Sequence, residues 1–113
     1  MSRIELSKEK FKQLFKEQSN TKQNDPELMD ILQRFIFGEV FYTGELDDKI
    51  RELITCTVLS TLQTLPQLKA HTNAALNVGV TPLELREAIY QCAPLIGFPR
   101  TLNAVSTINE VFE

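Results

Sequence analysis

The chain has 113 residues, of which 42% are hydrophobic, and its formal net charge is −3 with a sequence pI near 5.2. This length suits one domain, and the acidic balance argues against a nucleic-acid partner, because neutralising phosphates requires a clustered Lys/Arg face. The apolar runs are too short to span a membrane, and the first residues lack the apolar centre of a secretory signal. We therefore expect one soluble, cytoplasmic domain over residues 1–113, with no membrane partner.

Capping residues and hydrophobic spacing predict an all-α protein of about six helices. Ser7 is a candidate N-cap for a first helix that runs to about Gln18, and the polar stretch 19–24 is a predicted loop. Residues 1–24 are therefore expected to form a peripheral helix and loop.

A second helix is predicted to start at Asp25 and Pro26, since Asp is a favoured N-cap and Pro suits the first helical position. It leads into the aromatic stretch from Phe35 to Tyr42, which ends before Gly44. So much aromatic surface must be buried or must bind a ligand.

From Asp47 a third helix carries an apolar stripe at helical spacing, which predicts a core helix. Beside the stripe, Glu52, Cys56 and Ser60 follow one another at four-residue steps as a polar seam. The stripe consists of Ile50, Leu53, Ile54, Thr57, Val58, Thr61 and Leu62.

A fourth helix is predicted from Pro66 to Asn77, and the short turn before it should make the third and fourth helices a central antiparallel pair. With the turn near Thr64 to Pro66, His71 lies opposite Leu59 and Ser60, and Glu52 lies about two turns away, roughly 10 Å. Direct contact between Glu52 and His71 does not follow from this arrangement.

The last two helices have clear start signals. Thr81 and Glu84 form a predicted capping box at the start of a fifth helix, and Pro99 suits the first turn of a sixth. The sixth carries a predicted buried stripe of Leu102, Val105, Ile108 and Phe112.

His71 is the only histidine in the chain, and its side chain is the only one whose ordinary pKa lies near neutrality. The face of the fourth helix that carries His71 includes small residues, so His71 is either a hydrogen-bonded core residue or a general acid or base.

Glu52 has two interpretations as well. It is either a surface carboxylate that pairs with Arg51 or Lys49, or a functional acid.

Cys56 and Cys92 lie far apart in the sequence, without C-x-x-C spacing, and with a single histidine they predict no zinc site or other metal site. They are expected to pack as small hydrophobic residues, or else to act as redox thiols. The glycines are spaced as helix terminators, so we predict no nucleotide site and no cofactor.

Several segments, in order, resemble the carboxymuconolactone decarboxylase family. They are FIFGEVF at 35–41, LDDKIRELIT at 46–55, HTNAALNVGVTPLELREAI at 71–89 and QCAPLIGFP at 91–99, followed by Asn103 and Ala104. The likeness runs from about Leu28 to the C-terminus and implies the alkyl hydroperoxidase D-like helical fold. It also implies assembly into trimers or hexamers.

The peroxidase branch of that family has a C-x-x-C pair, and here Thr64 and Gln67 stand at the two cysteine positions. Glu52 stands where that branch has its proton-relay glutamate, and His71 matches its histidine. The resemblance therefore implies that an acid/base pair is retained without the thiols.

The decarboxylase branch implies a cofactor-free carboxy-lyase that acts on a small carboxylated lactone or related organic acid. His71 is then the expected proton donor or oxyanion partner, with Glu52 in support. The expected substrate-binding residues are Arg51, Arg100, Phe37, Phe41 and Tyr42. Two alternatives stay open: a peroxiredoxin-type antioxidant that uses Cys56 or Cys92, and a non-enzymatic oligomeric binding module.

Overall fold

The computed structural model describes residues 2–16 and 25–113. These residues contain six α-helices and no strand, which confirms the predicted all-α fold. The helices are α1 (Arg3–Phe15), α2 (Pro26–Leu32), α3 (Asp48–Leu62), α4 (Leu65–Asn77), α5 (Pro82–Ile96) and α6 (Phe98–Phe112). Within the described ranges, no helix is long and apolar enough to cross a lipid bilayer. The helices group into two compact units, residues up to 46 and residues 47–113.

The first helix begins earlier than predicted. Ser2, not Ser7, is the N-cap of α1, because its Oγ accepts the backbone N–H of Glu5. Ser7 is buried within the helix, where its hydroxyl donates to the Ile4 carbonyl. The described part of α1 ends at Phe15, and the predicted end at Gln18 and the predicted loop 19–24 lie outside the described residues.

An aromatic cluster forms the centre of the N-terminal unit. Beyond α2 the chain continues as a π-helix (Gln33–Phe37) and a 3-10 turn (Val40–Tyr42). Phe37 and Phe41 are buried, and the Phe37 ring lies 5.3 Å from Phe11 and 5.6 Å from both Phe15 and Phe41. Part of the aromatic stretch is therefore used in internal packing, while Tyr42 stays 42% exposed.

The C-terminal unit consists of two helical hairpins that pack on each other. Only Gln63 and Thr64 separate α3 from α4, so the two helices run antiparallel, which confirms the predicted central pair. α6 packs against α4 and α5, and α3 packs against α4 and α5. The core of this unit consists of Cys56, Leu68, Ala75, Val80, Leu85, Ile89, Ala104 and Ile108.

The orientation of α3 is the reverse of the prediction. Its buried residues are Glu52, Cys56 and Ser60, the seam that appeared polar in the sequence. Small Cys and Ser side chains let neighbouring helices approach closely, which a row of isoleucines would prevent. Most of the apolar stripe instead lies at the surface, with exposed Ile50, Ile54, Val58 and Leu62.

The predicted stripe of α6 is also partly wrong. Leu102 is 61% exposed, whereas Thr101, Ala104 and Thr107 are buried beside Ile108. The two threonines are accommodated because each hydroxyl donates to the carbonyl four residues earlier, which leaves their methyl groups to pack.

The capping box at the start of α5 is confirmed. The Thr81 hydroxyl accepts the Glu84 N–H at 3.1 Å, and the Glu84 carboxylate accepts the Thr81 N–H at 2.9 Å. The second Glu84 oxygen lies 2.9 Å from the Lys49 ammonium of α3. The Thr81 N–H and then Lys49 lower the pKa of Glu84, so the folded state favours the carboxylate.

Glu84→Gln is expected to lower the free energy of unfolding at pH 7, because glutamine keeps the cap but loses the attraction to Lys49. Since the folded pKa of Glu84 is lowered, its contribution is complete above the ordinary carboxyl pKa and disappears as the pH falls through the lower folded value. Urea unfolding of both proteins from neutral to acidic pH measures this. Glu87→Gln, on the same helix, is the control, and a pH-independent difference would contradict the prediction.

Candidate active site

The C-terminal unit brings the single histidine of the chain onto a buried carboxylate. Nδ1 of His71, on α4, lies 2.7 Å from Oε1 of Glu52, on α3. The Glu52 side chain is fully buried, whereas 18% of the His71 side chain is exposed. The pair is therefore sheltered on the glutamate side and open to solvent on the histidine side.

The expected separation of about 10 Å is wrong, and the turn explains the error. The turn consists of Gln63 and Thr64 rather than lying near Thr64 to Pro66, so the helical hairpin is centred between Gln63 and Thr64. His71 then lies opposite Cys56, and Glu52 is one helical turn further along α3, about 6 Å at 1.5 Å per residue. A glutamate side chain can span this distance.

The reading of Glu52 as a surface carboxylate is also wrong. It is buried, and Lys49, one of its two expected partners, pairs instead with Glu84. Within the described part of the chain, Glu52 Oε2 is a buried atom with no hydrogen-bond partner. Leaving such an atom unsatisfied costs about 1–3 kcal/mol, so this arrangement is costly for stability alone.

The contact determines which nitrogen of His71 can do chemistry. An ionised Glu52 can only accept a hydrogen bond, and with Glu52 in that form Nδ1 carries the proton that it shares with Oε1. Nε2, on the other side of the ring, is then the nitrogen through which His71 exchanges a proton with a ligand. A carboxylate within hydrogen-bond distance of Nδ1 also stabilises the imidazolium that forms when the ring takes up a proton.

The two predicted arginines occupy different places in the C-terminal unit. Arg51 precedes Glu52 on α3, is half-buried and points about 100° away from it around the helix axis. Arg100 is exposed near the start of α6, and its Nη1 donates to the Ile96 carbonyl at 3.1 Å. Their role in binding a substrate carboxylate stays a prediction.

The predicted aromatic wall belongs to the N-terminal unit. Phe37 and Phe41 pack in the aromatic cluster, and the Tyr42 hydroxyl donates to the Leu6 carbonyl at 3.3 Å. Two open depressions of about 370 and 400 Å³ also lie in this unit, and neither is lined by Glu52 or His71. A role for these aromatic rings at the substrate stays a prediction.

Cys56, predicted either to pack as a small hydrophobic residue or to act as a redox thiol, lies one turn from Glu52 on the buried face of α3. A signal for this was present in the sequence, since residues 52, 56 and 60 share one row and face an alanine-rich helix. In the ranges 2–16 and 25–113, no three His, Cys, Asp or Glu side chains converge to hold a metal ion.

Burial, and then the charge of Glu52, raise the pKa of the Cys56 thiol well above its ordinary value. Cys92 is only half-buried, and its Sγ donates to the Ala88 carbonyl at 3.4 Å. The thiolate is the nucleophilic form, so these facts count against Cys56 as a peroxide-reactive residue.

Maleimide treatment of the native protein at neutral pH is therefore expected to add at most one label, on Cys92, as measured by intact mass. In Cys92→Ala we expect no label until the protein is unfolded, when Cys56 becomes reactive. Rapid labelling of native Cys92→Ala would contradict the burial of Cys56.

The amino-acid sequence of the chain is similar to those of several known proteins. The profile of the carboxymuconolactone decarboxylase family matches residues 26–110. The 4-carboxymuconolactone decarboxylase of Acinetobacter baylyi is 34% identical over 77% of this chain and 65% of its own length. The nitrosuccinic acid decarboxylase of Metarhizium robertsii is 32% identical over 74% of this chain and 62% of its own length. An uncharacterized protein of Methanocaldococcus jannaschii is 30% identical over 80% of this chain and 83% of its own length.

The chain thus aligns with a little under two thirds of each of the two named decarboxylases. The family profile covers α2 to α6 and so includes both Glu52 and His71. This chain belongs to the carboxymuconolactone decarboxylase family.

Proposed function

We propose that this protein is a cofactor-independent decarboxylase that acts on a small carboxylated organic acid. The observation that carries the proposal is the 2.7 Å contact between His71 and the buried carboxylate of Glu52. A buried acid/base pair with an unsatisfied carboxylate oxygen costs stability, and such costs are typical of functional sites.

The two named relatives suggest a substrate class. One is named for a lactone that carries a carboxyl group, and the other for nitrosuccinic acid. In both compounds a carbonyl or nitro group can accept the electron pair released when the bond to CO₂ breaks. We propose a substrate of this class, with its electron sink conjugated to the carbon that loses CO₂.

The reaction then needs few protein groups. The C–CO₂ bond breaks, its electron pair moves onto the carbonyl or nitro oxygen of the substrate, and CO₂ leaves. The protonated His71 ring donates its Nε2 proton to the resulting carbanion, and the neutral ring regains a proton from solvent through its exposed edge. Glu52 stabilises the imidazolium before the transfer.

Glu52 and an anionic substrate would repel each other, and the contact with His71 reduces this problem. In the protonated state of the ring the Glu52–His71 pair is neutral overall, so a carboxylate can approach the Nε2 side.

Arg51 and Arg100 are the proposed partners of the substrate carboxylates, since guanidinium groups bind carboxylates in bidentate geometry. We also propose Phe37, Phe41 and Tyr42 as residues that exclude water.

We further propose that a second copy of the chain packs on the apolar stripe of α3. Ile50, Ile54, Val58 and Leu62 are each 43–64% exposed, and their row carries no charge. An uncharged surface can pack against its own copy without like-charge repulsion, and covering it would bury several large aliphatic side chains. Light scattering should give a trimer or hexamer that Ile54→Glu breaks down, and a monomeric wild type would contradict this assembly.

Supplying purified protein with 4-carboxymuconolactone or with nitrosuccinate, and measuring CO₂ release, tests the reaction. Release from either compound above the uncatalysed rate supports the proposal. Thermal stabilisation by these acids without CO₂ release would instead favour the binding-module alternative, because it shows a ligand site without chemistry. If these acids neither release CO₂ in the presence of the protein nor stabilise it, this substrate class is excluded.

A further inference from the structure

The turn between α3 and α4 has an unusual backbone for its sequence. Gln63, the C-cap of α3, has φ 61° and ψ 29°, in the left-handed region. Glycine or asparagine is the usual residue there, and other residues with a Cβ pay roughly 1–2 kcal/mol for this conformation. Other contacts must therefore hold Gln63 in this state.

The side-chain amide of Gln63 makes these contacts. Its Nε2 donates to the Ser60 carbonyl at 2.7 Å and to the Arg100 carbonyl at 2.9 Å. Its Oε1 accepts from Nδ2 of Asn103 at 2.9 Å. Only this orientation of the amide satisfies all three partners. In the flipped orientation the Gln63 Oε1 would face the Ser60 and Arg100 carbonyl oxygens, and all three atoms are acceptors. We call these three bonds the Gln63 clasp.

The clasp joins the two helical hairpins of the C-terminal unit. Ser60 lies in the last turn of α3, while Arg100 and Asn103 lie in the first two turns of α6. The Arg100 guanidinium also donates to Ile96 at the end of α5. Lys49 and Glu84 form a second link, between the first turns of α3 and α5. The α3–α4 hairpin is thus held at its turn and at the start of α3.

The Glu52–His71 contact depends on the geometry of this turn. The two residues lie on opposite arms of a hairpin whose connection is only Gln63 and Thr64. Any rotation or slide at such a short connection changes the register of α4 against α3. A shift of one residue moves a side chain by about 1.5 Å along the axis and about 100° around it, which is enough to break a 2.7 Å contact.

We propose that Gln63 and Asn103 are positioning residues, which hold the α3–α4 turn so that Glu52 and His71 remain in contact. This inference rests on the site given in the proposed function but concerns different residues. It also gives a reason for a strained glutamine at a position that glycine would fill without strain: glycine would supply the backbone conformation but would lose the clasp.

The single histidine makes the contact measurable without substrate. Protein labelled with ¹⁵N-histidine gives ring signals from His71 alone, and these signals report the tautomer and the hydrogen bond at Nδ1. Glu52→Leu supplies the reference spectrum in which the contact is lost. Gln63→Gly keeps the left-handed turn and removes the clasp, and Asn103→Ala removes one bond of it.

We expect the His71 signals of Gln63→Gly to move most of the way from wild type to the Glu52→Leu reference, and those of Asn103→Ala to move part of the way. Asn73→Ala is the matched control, because this half-buried α4 amide donates to the Lys69 carbonyl of its own helix and lies outside the Gln63 clasp. Its spectrum should match wild type.

Wild-type His71 signals in both clasp variants would overturn the proposal. If Gln63→Gly does not fold, Asn103→Ala decides alone, since it removes only one surface hydrogen bond. In the decarboxylation assay the clasp variants should lose kcat rather than raise KM. An inactive wild type would refute the proposed reaction and leave the spectral test intact.

Discussion

His71→Ala is expected to lower kcat for decarboxylation by about 10²–10⁴-fold, with little change in KM. This range is typical for the loss of a positioned general acid, and it falls on kcat because the proton moves only in the transition state. The ring is the only side chain in the protein with an ordinary pKa near neutrality, so no second group of this kind can take over. The measurement is steady-state CO₂ release from whichever of the two proposed substrates reacts.

Glu52→Gln is expected to lower kcat less, by about 10–10²-fold. Glutamine can still accept a hydrogen bond from Nδ1 and so orient the ring, but it does not stabilise the imidazolium. Lys69→Gln, on α4, is a control, since its ammonium pairs with Glu110 at 3.4 Å. Equal rates for wild type and His71→Ala would remove His71 from the mechanism, and equal losses at residues 52 and 69 would remove the specific role of Glu52.

The helical content could be predicted from the sequence because its signals are local. The Thr81–Glu84 capping box and the Asp25–Pro26 start depend on atoms within one turn of the chain, and both are present in the structure. The start of α1 was predicted wrongly for a local reason too. Ser2 and Ser7 can both cap a helix, and only the Ser2 choice lets Ser7 bond back to Ile4.

Which face of α3 is buried could not be predicted, because that depends on what packs against it. Ile50 and Ile54 fit the usual pattern of a core stripe, yet they are exposed, and Glu52 and Cys56 are buried. Close approach of the alanine-rich α4 requires small or tethered side chains on the facing helix. The residues of the site, Glu52 and His71, were recognised through resemblance, while their contact depends on a two-residue turn that periodicity does not determine.

The contact between Glu52 and His71 is also expected to have a large effect on the free energy of unfolding. His71→Ala is expected to lower the free energy of unfolding by about 3–5 kcal/mol, because it leaves the buried Glu52 carboxylate without its one hydrogen bond in the described structure. Glu52→Leu is expected to cost far less or to stabilise, since it replaces a buried charge by an apolar side chain and leaves His71 partly exposed to water.

The double variant distinguishes this explanation from simple loss of packing. If the cost of His71→Ala comes from the unpaired carboxylate, then adding Glu52→Leu should recover most of it, although two side chains are now altered. Urea unfolding of the four proteins gives the coupling energy directly. Additive losses in the double variant would show that His71 contributes through its own packing, and that Glu52 does not need it as a partner. Stability of the Glu52→Leu single variant at or above that of wild type, together with a loss of activity in that variant, would show that the buried carboxylate serves the chemistry and not the fold.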